Sequence, residues 1–297
     1  MVSSGDVQRL FLQSVISRRV LSVDLAKALW KQSVEAVKAA DDTIQINANT
    51  NSADGWSDFL ATLNKSLDPL DLELSRTRDE ITGKDIYALV NRRDDEIARI
   101  ASDYSPLEIS YFRALVEQIM LAPNYSYSIS SLAALREVNA LTSPMTKTQA
   151  ESVLASFVAK GWLLKSKYGR FSLSSRSLLE LQPYLKSTYP DEILECTICF
   201  EILTLGHACP KANCGVGMHN ACYDTYRRSV GGKCPKCSED WGRAGNDKVV
   251  PIGEAAAPKD EWPRRTRRSL TESEDGRERR RCAHGRPGRV FSNASTS

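Results

Sequence analysis

Seven of the eight cysteines of this 297-residue chain fall between Cys196 and Cys237. With one histidine they form an ordered series, Cys196-x2-Cys199-x9-Cys209-x4-Cys214-x4-His219-x2-Cys222-x11-Cys234-x2-Cys237. Zinc takes four thiolate or imidazole ligands in a tetrahedron, and a two-residue spacer lets one tight turn aim both sulfurs at one ion, so eight such ligands make two sites. Disulfides are the competing chemistry. The opening segment "MVSSGDVQRLFLQSVISRRV" alternates charge with apolar residues where a secretory leader carries an apolar block, and reducing compartments keep thiols free. A redox CxxC pair needs a βαβ setting that the surrounding sequence lacks. In a cross-brace arrangement, alternate ligand pairs share an ion. Cys196, Cys199, His219 and Cys222 then hold one zinc, and Cys209, Cys214, Cys234 and Cys237 hold the other. His207 reads as a neighbour of the sites, because the other eight already close both; Cys282 with His284 has no partners and reads as an ordinary free thiol. All four positions of each ion are filled by protein, which leaves none for water or substrate, so the zincs are expected to be structural and metal-assisted hydrolysis is disfavoured. So short a segment with few apolar residues is expected to draw its folding energy from the metal.

The elements that carry this finger are helices and hairpins, an α+β pattern. Val7, Leu10, Phe11 and Val15 recur at helical spacing, and a second amphipathic run follows from Val23 to Val37. The polar stretch Asp41 to Gly55 reads as a linker, then a helix over 56–67 leads into a hairpin of alternating Leu70, Leu72 and Leu74, the glycine turn "ITGK" and "DIYALV". Helices followed by a hairpin make a winged helix, and the order recurs. Thr146 with Gln149 forms a capping box, and Ala150, Val153, Leu154, Phe157 and Val158 share a helical face. Gly161 ends that helix, "WLLKSK" and "RFSLSS" flank a Tyr168-Gly169 turn, and a last helix carries Leu178, Leu179 and Leu181 up to Pro183. The expected organisation is a winged-helix unit at 5–103, a second at 106–189, the finger at 190–242 and a disordered basic tail at 243–297.

Charge narrows the partners. The formal net charge is +3, yet Glu254 to Ser297 alone holds eleven Lys/Arg against seven Asp/Glu, a net +4, so the rest stands at −1. A phosphate-binding domain concentrates basic residues on one face, and this chain lacks that footprint. Winged helices that contact protein are therefore favoured: Lys165, Lys167 and Arg170 on the second wing read as ordinary solvated charges, while Arg76, Arg78 and Lys84 on the first leave weak DNA contact open. The clusters Arg264–Arg268 and Arg277–Arg281 read equally well as a functional signal, for nuclear import or nucleic-acid contact, or as a solvated basic tail. No apolar run reaches the roughly 20 residues that span a bilayer, and no membrane contact is expected.

The ligand series resembles RING and PHD fingers. PHD fingers carry tryptophan two residues before the seventh ligand, where Gly232 stands. RING fingers place an apolar residue between the first two cysteines and a proline after the seventh ligand, forming a groove for a ubiquitin-conjugating enzyme; Ile198 and Pro235 hold those positions, with Leu203 as a further docking candidate. More widely, "IYALVN", "EISYFRALVEQIM", "AESVLASFVAKGWL", "TYPDEILECTIC" and "CPKCSEDW" resemble, in order and spacing over residues 7 to about 242, the RING-bearing first non-SMC element subunits of the SMC five/six complex. The resemblance implies tandem winged helices packed on a MAGE-type third non-SMC element near the kleisin fourth element. It also implies a nuclear role in DNA repair and recombination, and a finger serving ubiquitin transfer as an E3 ligase subunit. Ser238 departs from the Arg or Lys that many active RING fingers carry after the last ligand, and the Cys209-x4-Cys214 spacing is longer than the family's usual knuckle.

Overall fold

The computed structural model describes residues 3–43, 52–92, 104–243 and 246–258, all within one unit that ends at Pro258. The first winged helix runs α1 (Asp6–Arg18), β1 (Val20–Ser22), α2 (Val23–Ala40), α3 (Ala53–Leu67), β2 (Leu72–Arg78) and β3 (Asp85–Asn91). Its caps are local: the Ser22 hydroxyl accepts from Leu25 N–H, and the Ser52 hydroxyl from Gly55 N–H, each satisfying a first-turn amide. Strands β2 and β3 pair antiparallel from Leu72↔Asn91 to Arg78↔Asp85, and β1 adds to the far side of β3. Asn64 on α3 clips the helix to β2, accepting from Leu74 N–H (2.9 Å) and donating to its carbonyl (3.3 Å). Phe11, Trp30, Trp56, Phe59 and Tyr87 interlock in the core beneath, and the Trp56 indole N–H donates to the Tyr87 hydroxyl at 3.2 Å.

The second unit repeats the topology: α4 (Pro106–Met120), β4 (Ile129–Ser130), α5 (Ser131–Arg136), α6 (Lys147–Ala159), β5 (Leu163–Lys165) and β6 (Arg170–Leu173). Both sheets have the same order, first strand, third strand, second strand. The Thr146–Gln149 capping box forms at the start of α6, and a second box, Ser105 with Glu108, opens α4. Pro183 does not end the helical region. After α7 (Ser175–Glu180) it sits in the first turn of α8 (Gln182–Thr188), where its missing N–H costs nothing.

The finger comprises β7 (Gly206–Ala208), β8 (Gly217–His219), α9 (Asn220–Ser229) and β9 (Gly242–Arg243). Two expectations about it change. Its apolar residues are few but not isolated: Ile202, Leu203, Val216, Met218, Tyr223 and Trp241 belong to the same continuous core as Phe112, Phe157 and Leu185 of the second winged helix. The finger thus borrows a hydrophobic core from its neighbour. The folded chain also passes the expected boundary at 242. Residues of β10 (Asn246–Asp247) pair with β9, and β11 (Val250–Ile252) pairs antiparallel with β7, burying Ile252. Beyond it, Gly253 N–H donates to Tyr125 O (2.9 Å), and the Ser166 hydroxyl of the second wing donates to Glu254 (2.7 Å). "KVVPIGEAAAP" has enough apolar side chains to cover an open strand edge, which an average over the arginine-rich remainder conceals. The arginine clusters, Cys282 and His284 lie outside the described residues, as does most of the expected linker after Asp41. Among the described residues no helix is long and apolar enough to cross a membrane.

Candidate metal centres and the surface above them

Each metal-binding knuckle is built by backbone geometry that its sequence permits. After Cys196 and Cys199 the chain reverses: Phe200 N–H donates to Cys196 O (2.8 Å), and Cys196 N–H donates to Glu201 O (2.9 Å). The Cys234–Cys237 knuckle repeats this with Ser238 N–H on Cys234 O (3.0 Å) and Cys234 N–H on Glu239 O (2.9 Å). Both turns need a left-handed residue directly after the second cysteine, Phe200 at φ 60° and Ser238 at φ 58°. The turn leaves both sulfurs on one side and the side chains between them facing outward.

The ligands converge in the expected quartets, Cys196, Cys199, His219 and Cys222, and Cys209, Cys214, Cys234 and Cys237, with the ligand atoms of each within 4.8 Å of one another. Sulfurs of Cys209 and Cys237, and of Cys214 and Cys234, stand 3.6 Å apart. A tetrahedron with Zn–S bonds of about 2.3 Å has edges of about 3.8 Å. Disulfide sulfurs would be only about 2.05 Å apart, and these seven cysteines are all free. The donor set therefore fits two closed zinc sites. Bound there, zinc cross-links segments that are distant in sequence; it offers no coordination position for a reaction. His207 belongs to neither quartet. Its half-buried ring lies 4.7 Å from that of Tyr223, and burial lowers its pKa against the opposing pull of Asp224.

His219 is fixed from both sides. Its Nδ1 lies 3.3 Å from Cys199 Sγ, within the quartet, while Nε2 lies 3.0 Å from both Glu80 Oε1 and the Ile202 carbonyl. Without metal, burial opposes a proton on this ring, but Cys196 and the Glu80 carboxylate outweigh it and raise the pKa to about 11. Cys196 shows the mirror effect: burial would raise its pKa, but hydrogen bonds from His219 and from backbone amides at Cys199, His219 and Ile198 bring it to about 6. Zinc takes the place of these protons, so ligation releases them.

Nothing local in the sequence singles out Glu80. It lies between β2 and β3 at the tip of the first wing, 139 residues from His219. The wing around it is committed to the same interface. Arg78 Nη1 donates to Cys222 Sγ (3.6 Å), the Ser175 hydroxyl donates to Asp79 Oδ1 (2.7 Å), and a Cβ at Gly83 would come within 2.6 Å of the Ala221 Cβ. Arg76 and Arg78 pair with Asp85, so the first wing's guanidinium groups are occupied within the protein. In the second wing Arg170 is buried and donates to the Ser128 hydroxyl (3.0 Å) and carbonyl (2.8 Å), which removes it as a DNA contact.

The three docking candidates do not share one environment. Ile198 is 44% exposed and Pro235 is exposed, one on each knuckle. Leu203 is fully buried in the shared core, so it cannot touch a partner; the hydrophobicity that suggested docking serves packing instead. Phe200, 72% exposed on the first knuckle, is the outward apolar residue that its left-handed backbone presents.

Comparison with known proteins gives the same regions. Residues 8–181 match the family described as the Nse1 non-SMC component of the SMC5-6 complex, and residues 196–237 match the RING-like domain. The chain is 33% identical over 233 residues to the non-structural maintenance of chromosomes element 1 homolog of Xenopus tropicalis, covering 78% of this chain and 81% of that protein. It is 32% identical over 238 residues to the Homo sapiens homolog, covering 80% and 84%. A solved chain described as "Nse1-Nse3-Nse4 complex" superposes with a TM-score of 0.67 at 29% identity, covering 80% of this chain and 97% of that one.

Proposed function

The chain belongs to the Nse1 family of non-SMC components of the SMC5-6 complex, and from that premise we propose that its finger works as the RING module of an E3 ubiquitin ligase. The carrying observation is the pair of exposed apolar side chains, Ile198 and Phe200, on the first knuckle. A knuckle needs neither for zinc binding, and exposed large apolar groups that the fold does not use mark contact surfaces. Together with Pro235 on the second knuckle they would receive a ubiquitin-conjugating enzyme. Transfer would then proceed by holding the charged thioester near an acceptor lysine, an effect of proximity and orientation with no covalent intermediate on this chain. The tandem winged helices would pack against Nse3, a MAGE-type protein, beside the kleisin Nse4; the likeness to a solved chain of an Nse1-Nse3-Nse4 complex supports this assembly. Nuclear localisation and service in DNA repair and recombination complete the proposal.

A second reading is favoured by Ser238, whose short uncharged side chain follows the last ligand. Under it the finger holds an interface together and transfers nothing. Lysine discharge from a ubiquitin-charged conjugating enzyme, with the chain alone and with its MAGE-type partner, separates the two. Discharge that rises with the partner and falls at least tenfold in Ile198→Ala and Phe200→Ala, with both zincs retained, supports the ligase. Absence of discharge across a panel of conjugating enzymes supports the architectural subunit.

A further inference from the structure

We propose that Glu80, at the tip of the first wing, is the positioning residue for the zinc ligand His219, so that zinc binding at the Cys196–Cys199–His219–Cys222 site and docking of the first wing are one coupled event. The geometry starts from the ring. A neutral imidazole carries one N–H, and with Nδ1 facing the quartet its proton must sit on Nε2, aimed at Glu80 Oε1 and the Ile202 carbonyl. A carboxylate behind a metal-bound histidine fixes the tautomer and ring orientation and strengthens the ligand.

The carboxylate is held by more than the histidine. Glu80 is 7% exposed; Oε1 accepts from the amides of Thr204 (2.7 Å) and Leu205 (3.3 Å), and Oε2 accepts from the Thr204 hydroxyl (2.5 Å). A buried carboxylate without such donors is costly, so this pocket is shaped for an anion delivered from another domain. Undocking the wing would leave the Thr204 and Leu205 amides short of an acceptor and the His219 N–H with the Ile202 carbonyl alone. Arg78 adds a second link. Three thiolates and a neutral imidazole leave a zinc centre with a net charge of −1, and the Arg78 guanidinium lies against one of those sulfurs, Cys222. Both wing contacts fall on ligands of the first quartet, which makes the coupling specific to one ion.

The test uses the full chain loaded with zinc, and in parallel with Co2+, whose visible absorption distinguishes a three-thiolate, one-imidazole site from a four-thiolate site. Variants are Glu80→Gln, nearly isosteric but uncharged, and Glu80→Ala; Tyr111→Phe is the control, because it removes a buried hydrogen bond to the Ala134 carbonyl inside the second winged helix and leaves the wing's own bonds in place. Competition with a chelator is expected to show one of the two metals bound about ten- to a hundredfold more weakly in Glu80→Gln. The cobalt spectrum of the imidazole-containing site should shift, with the four-thiolate site unchanged and Tyr111→Phe like the wild type. Amide exchange at Thr204 and Leu205 should also rise when the metal is removed. Equal effects in Tyr111→Phe, equal weakening of both metals, or wild-type metal affinity in both Glu80 variants would each overturn the proposal. If Glu80→Ala fails to fold, Glu80→Gln still decides. The readout is metal binding, so the outcome is independent of whether the finger transfers ubiquitin.

Discussion

Replacing Leu203 with alanine separates a packing residue from a docking residue. The side chain is fully buried in the core that joins the finger to the second winged helix, and its Cδ2 closes on Gly217 so tightly that a Cβ there would come within 2.7 Å. Removing three carbons from such a site loses transfer free energy and leaves a cavity that β8 cannot collapse into, a cost of about 3 kcal/mol within the usual range for buried leucines. For a folded unit of this size that corresponds to a fall in Tm of roughly 6 to 12 °C. Ile198→Ala, at a side chain already 44% exposed, should cost less than about 1 kcal/mol and leave the melting curve nearly in place. Scanning calorimetry on both variants, with zinc content measured on the same samples, reads the difference directly. If Leu203→Ala melted like the wild type with both zincs bound and yet lost lysine discharge, the side chain would be a contact residue and the burial argument would fail.

Three further outcomes follow from the same geometry. Gly83→Val places a β-branched residue at φ +67° and a Cβ about where Ala221 stands; it should release the wing tip from α9 and raise amide exchange across residues 79–84, while α1–α3 stay protected. Truncation after residue 245 should expose the edge of β7 and the cavity left by Ile252, lowering the Tm of the finger, whereas truncation after Pro258 should leave it unchanged. Chelation of both zincs should remove the near-ultraviolet dichroism of Trp241 with Tyr223 and Tyr226 while that of Trp30 and Trp56 persists, because the first winged helix has its own core. Simultaneous loss of both signals would refute independent cores.

What could be read from the sequence follows the range of the forces involved. Zinc ligands are legible because a knuckle is a local device: Cys196 and Cys199 must lie within one turn to share an ion. The capping box at Thr146 and Gln149 is local for the same reason. Strands β1 and β4, three and two residues long, escape any periodicity, since their only definition is pairing with β3 and β6 far along the chain. Leu203 shows another limit. Its apolar character announces burial or contact equally, and only the placement of the second winged helix decides between them. Ile252 and its strap are hidden by averaging with the arginine-rich segment that follows.

The first wing carries these observations one step further. A winged helix that reads DNA keeps its hairpin cations free to meet phosphates. Here Arg78 is set against Cys222 and Asp85, Arg76 against Asp85, and Glu80, an acid, occupies the tip that a phosphate would approach. Turning this hairpin outward would require breaking the hydrogen bonds of Glu80 to Thr204 and His219 and the Asp79–Ser175 bond, all largely shielded from water and therefore harder to exchange for solvent contacts. The same segment cannot serve both duties at once. In this chain the hairpin is an internal brace that ties the N-terminal domain to a metal ligand; of its three basic candidates, Arg78 faces Cys222 and Asp85, Arg76 pairs with Asp85, and Lys84 stands exposed.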